Sequence, residues 1–206
     1  MKYQHLRGLI IEGMSHSGKT SLLNAIKVLH GDKYERSLIV LGEHYSQVLH
    51  KQNGKLVRSN RIEHLEALKS RVKILSDLGN WGNDLGPASM QSRGIFYIFE
   101  RFHLNHLHAF EESDISDIEN ELSKCNARTV LLTISPSYIE QRLLSREKYL
   151  EKDELHRKIL EYEKGQDKFI EIAKESSLQT LIINTDNKNW TEYARDVLEF
   201  CGINKH

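Results

Sequence analysis

The sequence predicts a three-layer α/β domain, a five-stranded parallel sheet with helices on both faces. Three observations predict it. Short apolar runs of strand-forming residues occur at 6–11, 37–41, 95–99, 129–134 and 180–183. Each is nearly continuous rather than alternating, as expected of strands buried on both faces. Segments with helical periodicity separate them, and strands alternating with helices make a parallel sheet. The first run also leads directly through a glycine-rich turn, Gly13-Met14-Ser15-His16-Ser17-Gly18-Lys19-Thr20, into an amphipathic segment. At 206 residues the chain is long enough for one domain with a real core, and no repeat, low-complexity tract or linker divides residues 1–206.

Taken in order, the run at 6–11 reads as the first strand. Leu22, Leu23, Ile26 and Leu29 then share one face of the helix after the turn. Ile62, Leu65, Leu68, Val72, Leu75 and Leu78 step by three and four and predict a long helix after the second strand. Residues 79–94 are rich in Gly, Asn and Asp and read as a long loop. Trp81, Met90 and Gln91 there are either acceptor contacts or, for Trp81, a packing anchor. Ile115, Ile118 and Leu122 give a short helix. Ile139, Leu143 and Leu144 follow a Ser-Pro-Ser start at which Ser135 or Ser137 caps. Residues 155–173 form a long charged helix, and Trp190, Tyr193, Ala194, Val197 and Leu198 form the last one, closed by Gly202.

The turn at 13–20 has the spacing G-x-x-x-x-G-K-[ST] and the strand and helix that this spacing requires. Its glycines let backbone N–H groups close around a polyphosphate, Lys19 reaches the β- and γ-phosphates, and the Thr20 hydroxyl can hold Mg²⁺. Gly13, Ser15, His16, Ser17, Gly18, Lys19, Thr20 and Ser21 are therefore the expected nucleotide-binding residues, at a helix N-terminus whose dipole favours anions.

Ligands of parallel sheets bind beyond the carboxyl ends of the strands. Glu43 follows the second strand, where a carboxylate can take a proton from a hydroxyl under phosphorylation. Glu100 and Arg101 follow the third, placed for Mg²⁺ and for phosphoryl oxygens respectively, with a structural ion pair as the bland reading. After the fourth strand Arg142 and Arg146 share one face of a helix. A lid segment around 142–157 would bring them to the phosphates, while the plainer account is a solvated face with salt bridges. Arg71 and His64 share one side of the long helix. Arg71 is an acceptor residue or a snorkelling arginine, and His64 reads first as a surface histidine.

Composition narrows the partners. Lys plus Arg equals Asp plus Glu at 29 each, so no overall field recruits nucleic acid. The 11 histidines lack cysteines at zinc spacing. Two isolated cysteines, Cys125 and Cys201, fit a reducing compartment. No signal-peptide pattern and no apolar run near the roughly 20 residues of a membrane span occur. The expectation is a cytoplasmic protein with no membrane and no nucleic-acid partner.

These residues together resemble the nucleoside and nucleotide kinases of the P-loop class, most of all deoxynucleoside kinases and thymidylate kinases. The turn at 13–20 matches their phosphate loop. Glu43 falls at the catalytic glutamate of deoxynucleoside kinases, and Phe99-Glu100-Arg101 is similar to their Glu-Arg-Ser motif and to the Asp-Arg-Tyr motif of thymidylate kinases. Ser70-Arg71 resembles the preceding helical arginine, and 129–137 with Arg142 and Arg146 resembles the strand and arginine lid of both groups. Residues 181–186 resemble the last strand and the adenine-side loop. Phe102 departs from the family serine, His106 stands near the sugar-binding aspartate, and His44 replaces a usual proline. The base-reading glutamine would land on His64.

The resemblance implies phosphoryl transfer from ATP with Mg²⁺ to a small-molecule acceptor. Lys19, Glu43, Arg101, Arg142 and Arg146 would be catalytic, Thr20 and Glu100 would serve the metal, and Glu43, Arg71, Arg101 and His64 the acceptor. Glu43 tilts the acceptor toward a nucleoside or deoxynucleoside hydroxyl. The alternative is a nucleoside monophosphate bound by Arg71 and Arg93. A regulatory nucleotide switch is a third class, one that has no obvious need of Arg142 and Arg146, and no guanine-reading N/T-K-x-D motif is present. Kinases of this type are often dimers, so the resemblance admits a homodimer, with no interface signature in the sequence.

Overall fold

A computed structural model describes residues 3–33, 37–42, 49–52, 55–84, 94–111, 113–145 and 149–203. Its elements run β1 (Leu6–Gly13), α1 (Lys19–Lys33), β2 (Ser37–Leu41), β3 (Leu49–Gln52), β4 (Lys55–Arg58), α2 (Arg61–Asp84), β5 (Ile95–Glu100), α3 (His103–Ala109), α4 (Ser116–Lys124), β6 (Ala127–Thr133), α5 (Pro136–Leu144), α6 (Lys152–Glu175), β7 (Thr180–Asn184) and α7 (Trp190–Phe200). Five strands form one sheet in the order β2-β5-β1-β6-β7, every neighbouring pair parallel. All five apolar runs are strands of it, and the predicted α/β class holds.

The continuous runs work because successive side chains enter different cores. Leu9 and Ile11 of β1 and Phe96 and Ile98 of β5 pack with Leu22 and Ile26 of α1 and Ala194, Val197 and Leu198 of α7. Leu6, Ile10, Tyr97 and Phe99 face the other way, onto Leu68, Val72 and Leu75 of α2 and Ile118 and Leu122 of α4. With both faces covered, the sheet's remaining open feature is its carboxyl edge, where β1, β5 and β6 end. Gln166 of α6 fixes that edge. Its side-chain amide donates to Ile134 O at 2.9 Å and accepts from Ile134 N at 2.8 Å, just beyond β6.

Four expectations need correction. Residues 79–84 are helical, the end of α2, and not loop. Gly79 and Gly82 lie on the buried stripe of α2 because a Cβ at either would meet the ring of Tyr3 or His5, at 2.5 and 2.1 Å. They let the N-terminal segment pack closely and do not break the helix. The stripe runs His64, Leu68, Val72, Leu75, Gly79 and Gly82. Ile62, placed on it by periodicity, is instead 68% exposed, and Trp81 is 58% exposed and is not a packing anchor. Ser135 occupies the N-cap position of α5 but makes no capping hydrogen bond; its Oγ accepts from Asn184 Nδ2 at 2.9 Å. Gly202 closes α7 as expected, at φ +69°, with Gly202 N–H on Glu199 O and Ile203 N–H on Leu198 O.

The antiparallel β3–β4 hairpin was not anticipated. Its signal was present, since Asn53-Gly54 between two short runs is a strong hairpin cue. Glu43, Met90, Gln91, Arg93 and Arg146 lie outside the described residues.

Candidate active site

The phosphate loop is held by backbone conformation and by its neighbours. β1 ends at Gly13, φ +134°, and the loop turns into α1 at Gly18, φ +98°, with His16 also left-handed at φ +67°. A Cβ at Gly18 would lie 2.1 Å from the Trp190 ring, and one at Gly13 would lie 2.6 Å from Leu132 O. Both positions therefore need glycine for conformation and for space. Thr185, fully buried, places its hydroxyl 2.9 Å from Ser17 O and 3.0 Å from Thr133 O, tying the loop to β6. Lys19 Nζ donates to Gly13 O at 2.9 Å and Met14 O at 2.8 Å, so it bridges the entry of the loop.

Around the loop lies a cavity of about 450 Å³, lined by Ser15, His16, Gly18, Lys19, Thr20 and Ser21 together with Glu100, Arg101, Arg142, Ser145, Lys188 and Trp190. The ends of β1 and β5, the last turn of α5 and the start of α7 therefore meet at one concavity. Arg142, 6% exposed, donates through Nη2 to Thr185 O, and its guanidinium lies 5.9 Å from the Trp190 ring centroid. Arg101 follows β5 in a left-handed conformation, φ +56°, which costs a non-glycine residue energy and is sustained here by its N–H bond to Ile11 O. The turn directs Nη2 onto Ser15 Oγ at 3.0 Å. Thr20 and Glu100 line the same cavity, so a hydroxyl and a carboxylate suited to Mg²⁺ stand together there.

A second cavity of about 300 Å³ adjoins the first. Met14, Ser15, Arg58, Ser59, His64, Arg101, Asn105, His108, Ala109, Phe110 and Phe169 line it. Ser15 and Arg101 belong to both cavities, and their hydrogen bond is the wall between them. The second cavity is aromatic and imidazole-rich. His108 stacks on Phe169 with centroids 4.2 Å apart. His64 and His106 stack at 5.0 Å, with Phe110 tilted against both. Their Nδ1 atoms are 2.8 Å apart, a hydrogen bond between α2 and α3. His64 is 7% exposed, so the surface-histidine reading fails. Burial, with Arg71 nearby, pushes its pKa down, and burial, His64 and Arg61 push His106 down to about 4.

Sequence reading overlooked Glu12, the residue before the loop. It is fully buried, and its Oε1 accepts from the N–H groups of Phe102 (2.8 Å), Leu104 (3.1 Å) and Asn105 (3.4 Å). Burial raises its pKa to about 7, with those bonds and the Lys19 charge opposing. His103 Nδ1 lies 3.9 Å from Glu12, its Nε2 lies 3.9 Å from Glu119, and burial lowers its pKa to about 4. The sequence signal for Glu12 was a carboxylate inside an apolar run, one residue before the loop's first glycine.

Of the residues expected at the site, Ser15, His16, Gly18, Lys19, Thr20, Ser21, Glu100, Arg101 and Arg142 line the larger cavity, Gly13 and Ser17 do not, and His64 and Arg101 line the smaller. Arg71 lines neither; its Nη1 donates to Ala67 O at 2.7 Å. Arg58, Ser59, Phe110 and Phe169 were not foreseen. No helix among the described residues is long and apolar enough to cross a membrane.

A parallel sheet with a phosphate loop at its carboxyl edge, leading into a helix, is a P-loop α/β fold. The comparison with solved structures agrees. The chain is similar to the YorR protein of Bacillus subtilis, solved in complex with phosphorylated GDP, with a TM-score of 0.60 and 16% identity over 95% of this chain and 96% of that one. It is also similar to thymidylate kinase from Candida albicans, with a TM-score of 0.50 and 16% identity over 96% and 92% of the two chains. At these identities the likeness is one of fold. No family model and no curated protein matches the sequence.

Proposed function

We propose that the chain is an ATP-dependent kinase that moves the γ-phosphoryl group of Mg-ATP to a small acceptor, a nucleoside or deoxynucleoside hydroxyl. The observation that carries this is the shared wall: one arginine, Arg101, touches the phosphate-loop cavity and the adjoining aromatic cavity at once. A group passing between the two sites must pass this guanidinium, and phosphoryl transfer is catalysed mostly by positioning and charge. Loop amides and Lys19 hold the β- and γ-phosphates. Thr20 and Glu100 would hold Mg²⁺, which when bound supplies charge neutralisation between phosphate oxygens. Arg101 and Arg142 face the transferring group. Glu43 is the proposed base, and Arg146 a further phosphate contact. The buried free thiols of Cys125 and Cys201 fit a cytoplasmic setting.

One observation favours a second reading. Arg58 joins Arg101 in lining the smaller cavity, which suits an anionic acceptor such as a nucleoside monophosphate. ADP release from Mg-ATP, measured with nucleosides, deoxynucleosides and their monophosphates, decides between them. Stimulation by nucleosides supports the first reading and stimulation by monophosphates the second; no stimulation by either class removes both. Glu43→Gln is expected to lower turnover at least tenfold more than ATP affinity if a hydroxyl is the acceptor.

A further inference from the structure

The His64–His106 pair has a consequence for what the smaller cavity accepts, provided that cavity is the acceptor site proposed above. A hydrogen bond between two Nδ1 atoms needs one protonated and one bare nitrogen. A neutral imidazole carries one N–H, so the ring that donates at Nδ1 has a bare Nε2, and the ring that accepts has Nε2–H. Burial keeps both rings neutral, with Arg71 acting on His64 and Arg61 on His106. The two possible arrangements are not equal. His106 Nε2 is buried with no hydrogen-bond partner among the described residues, and Arg61 is near enough to act on that ring. An N–H at His106 Nε2 would be an orphaned buried donor, whereas an unshared lone pair there is less costly. His106 therefore donates through Nδ1.

That leaves His64 with its proton on Nε2. His64 lines the cavity and His106 does not, and the Nδ1 of His64 is already engaged. We infer that His106 is a positioning residue that fixes the tautomer of His64, and that His64 Nε2–H selects acceptors whose planar ring offers an oxo group over those offering an amino group. Phe110, 6.0 Å from the His64 ring and 5.1 Å from His106, supplies an aromatic face beside that donor, and Arg58, Arg101 and His108 complete the polar lining. An amino group set against Nε2–H would bring two donors together and leave both unpaired, which a built polar site rejects strongly.

The test uses the full chain labelled with ¹⁵N-histidine and two matched pairs of probes, uridine with cytidine and inosine with adenosine, with their monophosphates. Within each pair an oxo group beside a ring N–H is exchanged for an amino group beside a bare ring nitrogen. Long-range ¹H–¹⁵N spectra are expected to show His64 protonated at Nε2 and His106 at Nδ1. The oxo member is expected to bind about tenfold or more tightly, the size of one mismatched buried hydrogen bond. His106→Leu should erase that preference and release the His64 tautomer. His106→Asn should keep both, because its Nδ2 amide can donate to His64 Nδ1. ATP affinity should be unchanged in both variants. A proton on His64 Nδ1, equal binding within the pairs, or a preference that survives His106→Leu overturns the inference even if catalysis is confirmed. If His106→Leu does not fold, the wild-type spectra and His106→Asn still decide. If no probe binds and none stimulates ADP release, the proposed function falls and takes the recognition claim with it, while the spectra still read the tautomer.

Discussion

The two cavities share Arg101 and Ser15 but are built on different plans. The larger is made mainly of backbone: a glycine loop, the start of a helix, and carbonyls tied by Thr185 and Arg142. Its side chains crowd in to hold main chain, as Trp190 does against Gly18. The smaller is made mainly of side chains brought from β4, α2, α3 and α6, with rings from His64, His108, Phe110 and Phe169. Polyphosphate is the same in every nucleoside triphosphate and is well held by fixed amide dipoles, whereas an acceptor must be told from its analogues, which needs side chains. Rigidity serves the first task and chemical variety the second.

This contrast can be broken at its strongest point first. Lys19→Ala should reduce phosphoryl transfer on the order of 10²–10³-fold with little change in Tm, measured by initial rates and thermal melting. A loss of folding to match would mean that Lys19 acts on the loop and not on phosphate. Arg101→Ala should cost about 10²-fold in kcat while moving the KM of either substrate much less, because the side chain belongs to both cavities. A change confined to one KM would assign it to one cavity alone.

Glu12 gives a smaller and pH-dependent effect. Its pKa is raised by folding from 4.5 to about 7, so the folded state holds the proton more tightly than the unfolded chain. Wild-type stability from this group is complete below about pH 4.5 and is lost as pH rises through 7. His103, depressed to about 4, acts oppositely below pH 6.5, but it is present in both proteins compared. The Tm of Glu12→Gln relative to wild type should therefore rise by a few degrees between pH 5 and pH 8, about 1–3 kcal/mol. A flat difference would mean that Glu12 stays ionised across this range. The mildest test is Phe110→Ala, expected to raise acceptor KM roughly 3- to 10-fold and leave ATP KM alone. An equal effect on both would mean that the cavities are not separable.

Legibility in the sequence divides along the same line. The phosphate loop is contiguous, and its glycines are demanded by left-handed turns and by ring contacts that few other residues tolerate, so spacing alone reveals it. The strands were legible because each is a short, nearly continuous apolar run, the central ones buried on both faces. The smaller cavity was not, because His64 meets its partner 42 residues later in the chain. On α2 alone His64 reads as polar surface. The stripe it belongs to also contains Gly79 and Gly82, whose burial depends on Tyr3 and His5 docking from the N-terminal segment. Periodicity weighs neither histidine nor glycine as apolar, so the face it drew through Leu68, Val72 and Leu75 took in Ile62 and missed His64, Gly79 and Gly82.

The Glu12 clasp has one more consequence. Its three acceptor bonds go to main-chain N–H groups at 102, 104 and 105 and to no side chain. The strand that carries the phosphate loop therefore grips the start of α3 through main-chain groups, with His103 the α3 side chain that stands beside Glu12. His106 and Phe110 can be exchanged for other types without loosening that grip. On the function proposed above, acceptor preference would be open to change on one side of the clasp while the phosphate loop on the other keeps its place.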